Sequence, residues 1–425
     1  MTTRTRLRYL VNLNPSVPDA VASDRQRLLS YIPMEAIGED WSLDLSRERS
    51  VAEVSTGYSY FEDGDIVFAK VTPCFENGKA AIVEGLTGGQ GFGTTEVTVV
   101  RPDSSLNTRF LFYVLNEDRF KQLGVAEMTG AGGLKRVPDR VVRDFAIDLP
   151  PRSEQDLIAR FLDRETAEID AFIRDQEELI KLLVERRAAT IGHAVTQGLG
   201  PASEMKQTRS AWFPVIPSGW DLLPVRLGAS LIQTGPFGSQ LHADEYVTGG
   251  TPLINPMHIV DGEIRPSAAV SVTESKAAEL KRHALLLGDV VIARRGELGR
   301  SAVTTESSVG ALCGTGSAII RLRSDRFDPQ YFQLAFSSRQ ARDSLLQYSV
   351  GSTMDNLNAD VVGDLRLPAP PVEEQRAIVR SLEHETTEID GAIADAREAI
   401  ALSRERRAAL ISAAVTRKID LRDAA

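Results

Sequence analysis

A chain of 425 residues is long enough for about two to four domains, and its 42% hydrophobic and 25% charged content is ordinary for a globular protein. The formal net charge of −10 excludes a domain that binds nucleic acid through bulk basic charge, so any DNA contact needs local basic patches. No apolar run reaches the ~18 residues of a membrane helix, and the start, MTTRTRLRYLVNLNPS, lacks the apolar core of a secretory signal. Cys74 and Cys313, the only cysteines, supply neither a disulfide framework nor a zinc site. A cytoplasmic protein with reduced thiols is the expectation.

Residues 1–149 alternate short β-rich runs with Gly, Asn and Pro turns. Asp65–Lys70 follows the turn Glu62-Asp63-Gly64 and reads as a buried strand, and Lys79–Val83 follows Asn77-Gly78 as its hairpin partner. Glu96–Val100 is a further strand, and Phe110–Leu123 has helical spacing. The stretch Gly130–Arg136 is a glycine-rich basic loop, and Phe145–Leu149 leads into Pro150-Pro151.

Residues 150–199 read as one long helix. Ser153 is the expected N-cap with Asp156 at capping-box spacing. Ile158, Leu162, Ile169, Ile173, Ile180, Leu183, Ile191 and Ala194 recur at intervals of three, four and seven, which predicts a coiled-coil seam. Gly198 and Gly200-Pro201 stop the helix, whose length is roughly 67 Å at 1.5 Å per residue. A helix that long needs a helical partner. Residues 370–425 supply one, because Pro150–Thr196 and Pro370–Thr416 align without a gap and are identical at 26 of 47 positions.

Residues 200–369 repeat the plan of the first globule. Leu287–Arg294 matches Asp63–Lys70, Ser317–Arg323 parallels Thr95–Arg101, and Phe332–Leu346 is the matching helix. Between these anchors the two globules diverge widely, while the helices hardly differ. The order is therefore globule, helix, globule, helix: an internal duplication of a fixed frame with two divergent heads. Antiparallel pairing of the helices is expected, with the heads at opposite ends. Divergent heads on a rigid spacer suit a bipartite, non-palindromic DNA site. A coiled-coil adaptor whose heads bind proteins is the alternative.

The residues form no catalytic constellation. There is no Walker-type Gly-Lys-Ser/Thr and no methyltransferase motif, and His193, His242, His258, His283 and His384 show no ligand spacing. No metal, and no cofactor on this chain, is expected. Base edges are read by Arg, Lys, Asn and Gln, and phosphates are held by basic groups and hydroxyls. On that basis Lys70, Thr72, Lys79, Lys135 and Arg136 are the DNA-binding candidates of the first head. Gln233, Ser239, Gln240, Arg294, Arg295, Arg300, Ser352, Thr353 and Asn356 are those of the second. Along the helices, Glu165, Glu168, Arg186 and Arg187, repeated as Glu385, Glu388, Arg406 and Arg407, are candidates for docking two copies of one partner.

Several short motifs occur twice in the same order. Pro-Pro-x-x-Glu-Gln opens at Pro150 and Pro370, Glu-Thr-x-Glu-Ile-Asp at Glu165 and Glu385, and Glu-Arg-Arg at Glu185 and Glu405, each leading to Ala-Val-Thr. Ile216-Pro217-Ser218-Gly219-Trp220 leads into the second head, with no Pro-x-x-Trp counterpart in the first. In these residues the chain resembles the specificity subunit of a type I restriction–modification system over essentially its whole length. The resemblance implies an α+β fold with two target-recognition domains, at 1–149 and 200–369, joined by two antiparallel spacer helices. It implies a non-catalytic subunit that binds double-stranded DNA and assembles with two methyltransferase subunits and with endonuclease/translocase subunits. S-adenosylmethionine, ATP and Mg would then belong to those partners.

Overall fold

The computed structural model describes residues 3–131, 133–200, 204–237, 240–349 and 357–419. The chain folds as two compact units, Met1–Glu178 with Ala396–Ala425, and Leu179–Asp395. Each unit therefore takes one head and one part of each long helix, Arg152–Gln197 and Val372–Val415.

In the first unit the head is built on two four-stranded sheets. One runs Val11–Leu13, Val97–Pro102, Ile66–Ala69, Ala80–Ile82 and is antiparallel throughout. The other runs Glu48–Ser50, Leu28–Ile32, Gln90–Gly93, Ser59–Glu62, with its middle pair parallel. The strand Ile66–Ala69 is buried at every position, as expected for a run apolar on both faces. Gly78, at φ +76°, makes the turn between it and Ala80–Ile82. Thr3–Arg6 pairs with Ala146–Leu149, which brings the start of the head back to the foot of the long helix.

The second unit repeats this order. Ala229–Thr234, Ser317–Leu322, Val290–Ala293 and Ser301–Val303 form the equivalent antiparallel sheet. Thr251–Ile254 again pairs in parallel with a late strand, Leu312–Cys313. Asp221–Pro224 pairs with Arg366–Ala369 at the foot of the second helix.

Two expectations shift in detail. The helical run over Phe110–Leu123 is two helices, Thr108–Asn116 and Asp118–Ala126, separated by Glu117 in extended conformation. The second head repeats the break, with Pro329–Ser337 and Arg339–Ser349 on either side of Ser338. Ser153 lies inside the long helix rather than capping it, because the helix begins two residues earlier, the Pro151 carbonyl accepting from the Glu154 and Gln155 amides at 2.9 and 3.1 Å. Asp156 then accepts from Asn107 Nδ2 at 2.7 Å and from Arg152 Nε at 3.1 Å.

The helix seam forms inside each unit. In the first, Ile158, Ala159 and Leu162 pack in one core with Ile411, Ala414 and Val415. In the second, Ile191, Ala194 and Val195 pack with Ile378, Val379 and Leu382. Early residues of one helix meet late residues of the other, so the segments run antiparallel. Each fully buried Leu or Ile there contributes roughly 1.5–3 kcal/mol. Ile180 and Leu183, expected on the same seam, are only half-buried.

Candidate nucleic-acid and partner interfaces

In each copy one buried glutamine of the long helix bonds three ways at the junction with the head. Gln155 is 1% exposed and Gln375 fully buried. Gln155 Oε1 accepts from the Asn107 amide at 2.7 Å, and its Nε2 donates to the Ser105 and Pro150 carbonyls at 3.1 and 3.0 Å. Gln375 does the same with Asp328 N, Arg326 O and Pro370 O, each at 2.8 Å. This accounts for the Glu-Gln of the repeated motif: a carboxamide offers both the acceptor and the donors that one loop and one helix start leave open.

Each head also carries a bidentate ion pair on its central strands. Arg101 donates to both oxygens of Asp65 at 2.7 Å, and Arg321 to both of Asp289 at 2.8 and 2.7 Å. Hydrogen bonding to the aspartate raises the affinity of both guanidinium groups for their proton. The repeated Gly-Asp marks this bond.

The motifs along the helices largely face each other. Arg407 pairs with Asp170 at 3.1 Å and lies 3.6 Å from the ring centroid of Trp41. Burial pulls its pKa down, which the carboxylate of Asp170 opposes. Arg187 makes the equivalent contact with Asp390 at 2.9 Å. The Asp of Glu-Ile-Asp thus meets the second Arg of Glu-Arg-Arg from the other helix. Arg187 and Arg407, expected on the docking face, each pair with an acid that antiparallel packing at this register brings opposite, Arg407 largely buried there and Arg187 with its side chain still 38% exposed. Glu165 is half-buried against Arg164. Glu385 is exposed, with Ser381 donating to it at 3.5 Å. Glu168, Arg186, Glu388 and Arg406 are exposed at equivalent positions.

In the first head the structure brings four of the five DNA-binding candidates together from two distant segments. Thr72 N donates to Lys135 O at 3.0 Å, Thr72 Oγ1 donates to Gly133 O at 2.9 Å, and Val137 N donates to Lys70 O at 2.8 Å. The hairpin Thr129–Ala131/Leu134–Arg136 is thereby fastened to the end of strand Ile66–Ala69. Lys135 is exposed on it. Arg136 is engaged bidentately by Glu96 at 2.8 and 2.6 Å, and this bonding holds the Glu96 carboxyl below its ordinary pKa. The ammonium of the fifth, Lys79, lies 3.4 Å from the Met34 carbonyl.

In the second head Arg294 takes the place of Lys70. Arg294 N donates to Gly316 O, and Leu357 N donates to Arg294 O, as Val137 does to Lys70. Its side chain, however, is 8% exposed, and Nε donates to the Leu357 carbonyl. Arg294 is a strut rather than a surface reader, and burial lowers its pKa. Arg295 is exposed. Arg300 donates to Pro256 O at 3.2 Å and to Glu297 at 2.9 Å. Gln233 turns inward to the Arg282 carbonyl at 3.0 Å and His283 Nδ1 at 2.9 Å. Gln240 is half-buried, and Ser239, Ser352, Thr353 and Asn356 lie outside the described residues. Among the described residues no group of His, Cys, Asp and Glu could hold a metal ion, and no helix is long and apolar enough to cross a membrane.

A family model described as the type I restriction modification DNA specificity domain matches residues 52–182 and 237–393. The chain belongs to this family. It is 39% identical over 151 residues to the Escherichia coli EcoEI specificity subunit, covering 35% of this chain and 25% of that protein. It is 40% identical over 162 residues to the Escherichia coli EcoAI specificity subunit, covering 37% and 27%. These matches span about a quarter of those two relatives. The MjaVIII specificity subunit of Methanocaldococcus jannaschii is 21% identical over 297 residues, 68% of this chain and 66% of that one.

Among solved structures, a chain from work on complex assembly and conformational transition of the type I R-M system superposes with TM-score 0.71 at 18% identity, over 97% of both chains. The HsdS subunit of Thermoanaerobacter tengcongensis superposes with TM-score 0.52 at 18% identity, covering 98% of this chain and 97% of that one. At that identity the likeness is one of fold: two β-rich heads, each on an antiparallel helix pair.

Proposed function

We propose that this chain is a non-catalytic DNA-specificity subunit, each head reading one half of a bipartite, non-palindromic site while the helix pair sets the distance between halves. The observation that carries the reading is the contrast between frame and loops. The Gln lock, the Asp–Arg pair and the Asp–Arg seam contact are all present twice, yet Arg294 stands where the first head has Lys70. A fixed mount with different loops is what two different half-sites demand. Lys135 and Arg295, both exposed, are the leading phosphate or base contacts. Lys70, Thr72 and Lys79 flank the first loop, and Arg300 the second.

The helix faces that carry Glu168, Arg186, Glu388 and Arg406 would dock two methyltransferase subunits, with endonuclease/translocase subunits assembling on those. S-adenosylmethionine, ATP and Mg would be held by the partners. Adenine methylation requires the base to leave the stack for an enclosed pocket, and that pocket would lie on the methyltransferase. The assay is a gel shift of duplex DNA by the chain assembled with its methyltransferase subunits, at rising salt. Sequence-selective, salt-dependent retention is expected; equal retention of all duplexes would contradict the reading.

A further inference from the structure

The two units differ where a turn of the head meets the long helices. In the first, an isolated bridge Ile37–Leu43 closes a short turn, and Trp41, two residues before Leu43, stands at φ +70°. Its indole meets the ring of Phe112 edge-on at 4.9 Å and that of Tyr113 at 5.9 Å, under the guanidinium of Arg407. In the second unit Ile259–Ile264 closes the corresponding turn, where Asp261 and Gly262 stand at φ +52° and +80°, and counting back two residues from the closing pair, as from Leu43 to Trp41, reaches Gly262. Counting from the helix caps Asn107 and Asp328, Phe112 corresponds to Gln333 and Tyr113 to Leu334. Arg187 corresponds to Arg407 through the helix repeat. The indole and both of its aromatic neighbours are thus gone, while the arginine that covered them remains.

A cleft of about 410 Å³ lies there, lined by Arg187, Gly262, Gln333, Leu334, Arg300 and Arg342 among others. Gln333 closes its floor, with Nε2 donating to Gly262 O at 3.3 Å and Ser301 O at 3.4 Å. Arg300 and Arg342 share one acid, Glu297, at 2.9 and 3.7 Å. Arg339 and Asp261 line it as well, so four guanidinium groups and two carboxylates face the cleft, with Asp390 and Asp343 engaging Arg187 and Arg339 from outside the lining. A guanidinium over a cavity attracts the face of an aromatic ring, and guanidinium groups that outnumber the carboxylates on its walls can pair with a carboxylate beside that ring.

We propose that this cleft is a socket for an aromatic side chain flanked by a carboxylate, presented by a protein partner seated on the first long helix. The first unit cannot make the contact, because Trp41 already fills its socket. Two otherwise equivalent docking faces are thereby made unequal, and only the second takes an anchor from outside. The socket rests on the proposed docking role only for its natural occupant, and it is tested without partner or DNA.

The full chain is titrated with N-acetyl-tryptophanamide, indole-3-acetate and dAMP, followed by saturation-transfer NMR and by thermal shift. One site is expected, with indole-3-acetate several-fold tighter than N-acetyl-tryptophanamide. G262W should weaken both at least tenfold. Trp41 shows that the corresponding turn of the first unit carries an indole at positive φ, and a Cβ on Gly262 meets only the flexible end of Gln333, at 2.4 Å. W41G should open the first socket and raise the stoichiometry from one to two, so the test stands even where G262W fails to fold. Absence of binding, binding indifferent to the variant that folds, or dAMP binding at least as tightly as indole-3-acetate would each overturn the proposal. The last outcome would assign the cleft to a nucleotide. Because the methyltransferase takes no part, a negative result leaves the docking role standing, and loss of docking leaves the socket intact.

Discussion

Asp65 and Arg101 meet through two parallel hydrogen bonds of 2.7 Å, with the carboxylate 2% exposed and the guanidinium 29%. Asp65 also accepts from the Glu62 amide at 2.8 Å, so the pair ties a turn to two strands. Removing one partner of such a pair leaves the other charge poorly solvated. Asp65→Ala should lower the unfolding free energy by about 2–3 kcal/mol, the partial exposure of Arg101 keeping it at the low end. Asp289→Ala should act alike in the second unit. A change under about 0.5 kcal/mol in a urea titration would show the pair to be incidental.

The glutamine lock gives a local prediction. Gln155→Leu deletes one acceptor and two donors at the junction of the first head and its helix, and costs about 1–3 kcal/mol. The Asn107 amide should then exchange faster with solvent, while the Asp328 amide, held by Gln375, keeps its rate. Hydrogen exchange resolved at these two amides distinguishes the outcomes. Equal acceleration at both, or at neither, contradicts independent locks.

Much of the frame was legible because it is written twice. A constant offset exposes the seam, the central strands and the antiparallel plan, since apolar spacing and repeat order survive divergence. The roles of the polar residues were not legible. Arg187 and Arg407 read as surface charges until the antiparallel register places Asp390 and Asp170 opposite them. Arg294 sits in a basic run that looks solvated, yet its backbone bonds bury it under Leu357. Trp41 and Gly262 share no sequence pattern; only the positive φ and the common turn relate them. Such facts depend on which segments meet across the fold, and one-dimensional spacing does not encode that.

The hairpin of the first head should loosen in acid. Hydrogen bonding to Arg136 lowers the Glu96 pKa in the folded state, so its stabilising effect is fully present above the ordinary glutamate value of 4.5. It is lost as pH falls through the lowered folded value. Proteolytic nicking within 129–136 should therefore rise as the pH falls below 4.5, and Glu96→Gln should be nicked at neutral pH as well. Nicking that ignores both pH and the substitution would break the link between Glu96 and the loop.

Neighbouring arginines in the second head should behave differently. Arg295→Ala should leave the melting temperature within about 1 °C and reduce the salt slope of DNA binding by about one. Lys135→Ala should do the same through the first head. Arg294→Ala should instead destabilise the second unit by about 1–3 kcal/mol, since a buried strut is lost. A stable Arg294→Ala protein with a reduced salt slope would return Arg294 to the DNA-binding surface.

The central claim is that each head reads its own half of one site, and exchange of a single head tests it most directly. Residues 200–369 would be replaced by the corresponding head of a relative, and methylated bases mapped in cells that carry the chimera with the methyltransferase. One half of the methylated motif should change while the other half and the spacing persist. A change in both halves, or in neither, would contradict the claim.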